Sequence, residues 1–195
     1  MKPAKSRAGR RQQTVDMDFL LIQKMKNGDE AALEQFVYKY YPRILSYCRC
    51  HICSSELADD LTQETFERFF KSLRSYRHSG RLANYLYVIA GNLCRDSYKI
   101  KRELPLDEIM PDGIPPGGVA AETEDAFAAV ERRLDIEQAV KSLPDELREV
   151  VILYYFQNLK LRETAEIIGI GLPLVKYRLK KAKELLKNYI GEAVL

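Results

Sequence analysis

Residues 103–129 constrain the fold of this 195-residue chain more than any other stretch. They hold four of its eight prolines and three of its ten glycines, with seven acids and no lysine or arginine. Proline cannot donate to a helix or a sheet ladder, glycine resists ordering, and like charges repel. The segment therefore reads as a flexible acidic linker. It divides the chain into two small domains, residues 17–102 and 130–195, each of which needs its own core. Residues 1–16 form a basic tail with Lys2, Lys5, Arg7, Arg10 and Arg11 and no acid before Asp16. With almost no apolar side chains, that tail is expected to be disordered, either a solvated end or a loose nucleic-acid-binding arm.

At 46% hydrophobic residues, the chain can pack cores and is not disordered throughout. No apolar run approaches the length of a membrane span, and no signal peptide opens the chain, so a cytoplasmic protein without membrane insertion is expected. The net charge of +3 says little; the distribution of the charges says more. Cys48, Cys50, His51 and Cys53 lie close together, yet a zinc site normally needs a second ligand pair further along, and none follows. No metal and no cofactor are expected, although the sequence leaves a metal-binding or redox-sensing role of this cluster open.

The first domain is helical in pattern almost throughout. Leu33, Phe36, Val37, Tyr40, Ile44 and Cys48 recur at three- and four-residue steps, with Asp29 placed as a cap and Pro42 expected to kink or break the stripe. Ser54 or Ser55 caps a second stripe of Leu57, Leu61, Phe66, Phe69, Phe70 and Leu73. After a polar loop around Ser79 and Gly80 comes a third, with Leu82, Leu86, Ile89, Ala90, Leu93 and Cys94. No segment alternates with period two, so the expected fold is all-α.

In the second domain Ile136, Val140 and Leu143 make a stripe, Pro144 opens a helix filled by Val150, Val151, Leu153, Tyr154 and Phe156, and two helices follow around Gly169. The first of these, from Arg162 to Ile168, turns Ala165 and Ile168 inward. The second, opened by Pro173, has an inner face of Val175, Leu179, Ala182 and Leu186. Its other faces carry Lys176, Arg178, Lys180, Lys181, Lys183 and Lys187 against the single acid Glu184. A short helix, a glycine turn and a basic second helix make a helix-turn-helix, whose cations replace counterions on DNA phosphates.

Stretches in both domains carry a family resemblance. LIQKMKNGDEAALEQFVYKYYPRI, DDLTQETFERFF and NYLYVIAGNLCRD resemble region 2 of sigma-70 family factors of the extracytoplasmic-function group, and LPDELREVVIL and ETAEIIGIGLPLVKYRLKKAKELL resemble region 4. The resemblance implies a factor that directs bacterial RNA polymerase core to specific promoters and helps to open them. Asp60, Gln63, Glu64 and Glu67 would bind core polymerase. Tyr76, Arg77, His78, Ser79, Arg81, Asn84, Tyr85, Tyr87, Asn92, Arg95 and Lys99 would meet the minus-ten element. Leu174, Lys176, Tyr177, Arg178, Lys180, Lys181 and Lys183 would meet the minus-thirty-five element. It also implies an anti-sigma partner, with the factor held at the membrane through it, and a linker lying along the RNA exit path.

The chain departs from the family pattern at Tyr85, where tryptophan is common, at Val88 and Gly91, where basic residues are common, and at Leu174, which replaces a threonine. No nucleophile–base pair, phosphate-binding glycine loop or paired catalytic carboxylates stand out, so neither enzymatic activity nor a small-molecule substrate is expected. The rival reading is a stand-alone helix-turn-helix regulator, which would need a dimer surface and would bind duplex DNA without polymerase.

Overall fold

The computed structural model describes residues 16–103, 136 and 138–193. The tail and the acidic linker lie outside these, apart from their edge residues. Asp16 belongs to the fold rather than to the tail: it caps α1 (Met17–Lys26), its Oδ1 accepting the Asp18 amide at 3.0 Å. Asp29 caps α2 (Glu30–His51), accepting from the Ala32 amide at 3.0 Å. Ser54 caps α3 (Ser55–Ser72), its hydroxyl accepting from the Leu57 amide at 3.2 Å. The last helix of the group, α4 (Leu82–Glu103), takes in Glu103, expected as the first linker residue.

Pro42 does not break its helix, contrary to expectation; α2 continues through it. The carbonyl that loses its donor belongs to Tyr38, a residue 87% exposed, where losing a helical hydrogen bond costs least. Leu33, expected on the inner stripe, is 41% exposed, because Ala32 takes the inward position in the first turn.

Helices α2, α3 and α4 pack on one another, and α1 lies against α2. Their core centres on Phe36, which stacks on Phe69 at 4.7 Å between ring centroids and meets Phe66 and Phe70 edge-on at 5.6 and 5.7 Å. Thr62 and Thr65 are buried in α3, each hydroxyl donating 2.7 Å to the carbonyl four residues back, which satisfies it inside an apolar layer.

Residues 138–142 are helical (α5) and lead into α6 (Asp145–Val151), opened by Pro144 with Asp145 and Glu146 in its first turn. Ile136, expected in the inner stripe, is 46% exposed; Val140 and Leu143 are buried. The expected single helix after Pro144 is α-helical only to Val151 and continues as a π-helical turn, Ile152–Phe156. The wider turn rotates the later side chains, leaving Ile152 and Leu153 buried but Tyr155 and Phe156 exposed.

The helix-turn-helix is α7 (Leu161–Ile168) and α8 (Leu172–Ala193). Gly169 ends α7 at φ 76°, a left-handed conformation that glycine adopts without strain. Ala165 is buried as expected, but Ile167 rather than Ile168 fills the core beside it. Val175, Leu179 and Ala182 of α8 are buried in the same apolar cluster that includes Phe36 and Tyr87. Among the described residues there are no strands, and the all-α fold stands.

Candidate nucleic-acid interface

Along α3 the apolar residues occupy one side, so its acids share the other. Asp60, Gln63 and Glu67 are exposed and Glu64 half-buried. Glu64 is bound at 2.5 Å by Arg68, and Glu67 at 3.4 Å by Lys71, both one turn on. Such exposed pairs add little stability. Asp60 and Gln63, with Glu64 and Glu67, remain on one solvent-facing ridge.

The loop after α3 is held by both α1 and α3. Lys26 Nζ donates 2.6 Å to the Tyr76 carbonyl. His78 Nε2 lies 2.7 Å from Asp16 Oδ2, and this contact holds the Asp16 carboxyl below its usual range. Tyr76 and Tyr85 lie 5.0 Å apart and both pack edge-on to Phe69, so each is half-buried with part of its ring at the surface. Arg77, Ser79 and Arg81 are exposed around them, and Asn92 and Arg95 are exposed further along α4. The loop thus offers ring faces, donors and cations within one patch, the groups that unstacked bases require. The Lys99 side chain is outside the described residues.

Tyr87 does not share that patch. It is 1% exposed, its ring 5.3 Å from Tyr47 and its hydroxyl 3.0 Å from Gln157 Oε1 in the second domain. The resemblance implied a place for it there, but two residues on from Tyr85 a helix turns a side chain to a different face. Tyr87 is a packing residue here.

On α8, Leu174, Lys176, Tyr177, Lys180, Lys181 and Lys183 face solvent. Lys180 lies 3.9 Å from Glu184, and Lys183 sits 5.5 Å over the Tyr155 ring. Arg178 differs: it turns towards α6 and pairs with Glu146 at 2.5 Å, so its cation braces the domain.

The two domains meet. Helix α4 packs on α7, and α2 on the π-helical turn. Buried Tyr47 donates 2.7 Å to Glu149 Oε1, while His51 Nε2 lies 3.3 Å from the other oxygen without making a hydrogen bond. Burial holds the His51 imidazole below its ordinary pKa, overcoming the opposing pull of Glu149. Gln157 accepts from Tyr87 and donates 3.4 Å to Ser46 Oγ. Glu166 of α7 takes Arg81 at 2.9 Å on one oxygen and Asn84 at 3.1 Å on the other. Close by, His51, Gly91, Arg95, Arg148 and Arg178 line a cavity of about 180 Å³.

The cysteine cluster does not converge. Cys48 is buried, Cys53 is exposed, and His51 turns to Glu149. Among the described residues no three metal-ligating side chains come together. The buried Cys94 thiol donates to Cys48; this hydrogen bond and burial push Cys94 up, while the same bond draws Cys48 down.

Comparison with known proteins matches residues 36–103 to Sigma-70 region 2 and residues 133–186 to Sigma-70, region 4. The ECF RNA polymerase sigma factor SigW of Bacillus subtilis (strain 168) is 30% identical over 185 residues, 88% of this chain and 95% of that protein. The chain belongs to the extracytoplasmic-function group of the sigma-70 family. The ECF RNA polymerase sigma-E factor of Escherichia coli (strain K12) is 25% identical across 89% of this chain and 94% of that protein. The fold is that of CnrH in its complex with the cytosolic domain of CnrY, with TM-score 0.66, 19% identity and coverage of 90% and 97% of the two chains. It is also that of the sigma factor RpoE of Bartonella quintana in complex with the anti-sigma factor NepR, with TM-score 0.63, 17% identity and coverage of 82% and 96%.

As a sigma factor the protein acts in promoter-specific initiation of transcription. Of the residues singled out in its sequence, the structure groups Asp60, Gln63, Glu64 and Glu67 on one ridge, and Tyr76, Arg77, Ser79 and Arg81 with Tyr85 in one patch, while the His78 side chain, expected there, is buried against Asp16. It separates Tyr87 and Arg178 from their expected neighbours and engages Arg81 and Asn84 with Glu166. Tyr47, Glu149, Gln157 and Glu166 of the sigma factor went unnoticed in the sequence. One signal was available: Gly91 in the middle of a helix, where nothing local calls for glycine.

Proposed function

We propose that this sigma factor docks on core RNA polymerase through the α3 ridge of Asp60, Gln63, Glu64 and Glu67. Residues Tyr76, Arg77, Ser79, Arg81, Asn84, Tyr85, Asn92 and Arg95 receive the opened minus-ten strand, and His78, buried against Asp16, holds the loop in place. Leu174, Lys176, Tyr177, Lys180, Lys181 and Lys183 lie along the minus-thirty-five duplex. The segregation of charge carries this reading: Asp60, Gln63, Glu64 and Glu67 on the solvent side of α3, and cations on the outer faces of α8. Sequence preference comes from few residues, because lysines mainly meet phosphates. The protein acts by binding; polymerisation belongs to the core enzyme. An anti-sigma partner, of the kind in the Bartonella quintana complex, is the expected control. No helix among the described residues is long and apolar enough to cross a membrane, and any tethering would come through that partner.

Run-off transcription with bacterial core polymerase on a genomic promoter library tests the proposal. Promoter-specific transcripts are expected with the protein and should vanish in the Asp60→Ala/Gln63→Ala/Glu64→Ala variant. Duplex binding without core polymerase, and no transcripts, would instead point to a stand-alone regulator.

A further inference from the structure

The start of α1 is fastened to the loop proposed to meet the minus-ten strand. Asp16 Oδ2 lies 2.7 Å from Nε2 of His78, whose side chain is buried, and the Phe19 ring stands 6.2 Å from the same imidazole. Gly80 also approaches that carboxylate, since a Cβ there would stand 3.7 Å from Asp16 Oδ2. At the other end of α1, Lys26 holds the Tyr76 carbonyl at 2.6 Å. The chain therefore enters the fold at the rim of the patch formed by Tyr76, Arg77, Ser79, Arg81 and Tyr85.

Residues 1–15 carry Lys2, Lys5, Arg7, Arg10 and Arg11 and no acid. The acids at their root are already paired. Asp16 is engaged by His78, and Asp18 by Lys39 and the Tyr40 hydroxyl, both at 2.6 Å. Arg77, next to His78, is an exposed cation with no ion pair to a described residue. Cations gathered beside another cation repel unless an anion comes between them. The backbone of a nucleic acid is such an anion. A stretch of fifteen residues reaches at most about 50 Å, so these charges are tethered near the patch at high effective concentration.

We propose that residues 1–15 are a DNA-binding arm whose cations hold phosphates of the same strand that the Tyr76–Arg81 loop receives. The arm deepens the proposed minus-ten surface and rests on it. It adds affinity rather than sequence preference, because its partners are phosphates.

The test compares the full wild-type chain with an arm variant, Lys2→Gln/Lys5→Gln/Arg7→Gln/Arg10→Gln/Arg11→Gln, a patch variant, Arg77→Ala/Arg81→Ala, and the two combined. Arg77 and Arg81 are exposed, so the patch variant keeps its fold. The probes are fluorescein-labelled single-stranded oligothymidines of about 6 and about 20 nucleotides, of which only the longer spans both elements. In the arm variant the longer strand should bind at least about 10-fold more weakly and the shorter at most about 3-fold, since avidity needs both elements on one strand. The slope of log K against log salt for the longer strand should drop by about 3 if each cation meets one phosphate. In the patch background the dependence on strand length should disappear. Unchanged affinity in the arm variant, or an equal loss at both lengths, overturns the shared strand. A length dependence that persists without Arg77 and Arg81 places the arm beside another surface and also overturns it. A patch variant that binds both strands as tightly as wild type overturns the minus-ten assignment of Arg77 and Arg81 instead, and the arm's role with it.

Discussion

Phe36 is fully buried and meets four rings, those of Tyr40, Phe66, Phe69 and Phe70. A hole of that size cannot be refilled by its neighbours. Phe36→Ala should cost about 3–5 kcal/mol, read as a lowered urea midpoint for the first domain. His51 is a different kind of residue. Its imidazole is buried between α2 and α6, faced by Glu149, Arg148, Asp145 and Arg95, and burial depresses its pKa most. Such a group stabilises the packed state fully above the ordinary imidazole pKa of about 6.5. As pH falls below that, the unfolded or opened chain takes up a proton that the packed site refuses. The stability is lost progressively down to the depressed value. The Tm should therefore fall between about pH 7.5 and about pH 5.5. His51→Gln should flatten that dependence; an unchanged slope would show that other groups set it.

The helices were the most legible part of the molecule. Caps and stripes act within three or four residues, so Asp29, Gly169 and the pair Ser54 and Ser55, of which Ser54 is the cap, announce the elements they bound. Pro42 misled because its cost depends on what surrounds the freed carbonyl, and here that is solvent beside Tyr38. Pro42→Ala should restore the missing helical hydrogen bond and stabilise the first domain by up to about 3 kcal/mol in chemical denaturation. At Gly169 no atom stands within 4 Å of an added Cβ, so Gly169→Ala is a purely conformational change. It should cost about 1–2 kcal/mol for placing a side chain at positive φ, measured by thermal unfolding. The π-helical turn left no trace in the pattern. Beyond it Gln157 meets the Tyr87 hydroxyl, a contact no local pattern records.

At the scale of the whole molecule, charge is sorted by element rather than by sum. The net +3 hides an acidic ridge on α3 and a basic α8. Their separation gives one chain surfaces of opposite charge, which the proposed docking on polymerase and on DNA would use. Lys180→Ala/Lys181→Ala should weaken promoter duplex binding by the full chain. If each lysine neutralises one phosphate, the slope of log K against log salt should drop by about 2. A variant slope equal to wild type would place those lysines off the DNA.

The sequence by itself determined the all-α class, most of the helices and their caps, and the family. Each of these is written in spacings of a few residues or in composition. Tertiary structure alone decided which polar groups meet between the domains: Tyr47 with Glu149, Tyr87 with Gln157, and Glu166 with Arg81 and Asn84. Those partners stand 70 to 102 residues apart where their hydrogen bonds are formed. No periodicity reaches across a linker that long. The pairing follows from the shapes of two finished domains, which local preferences build but do not orient.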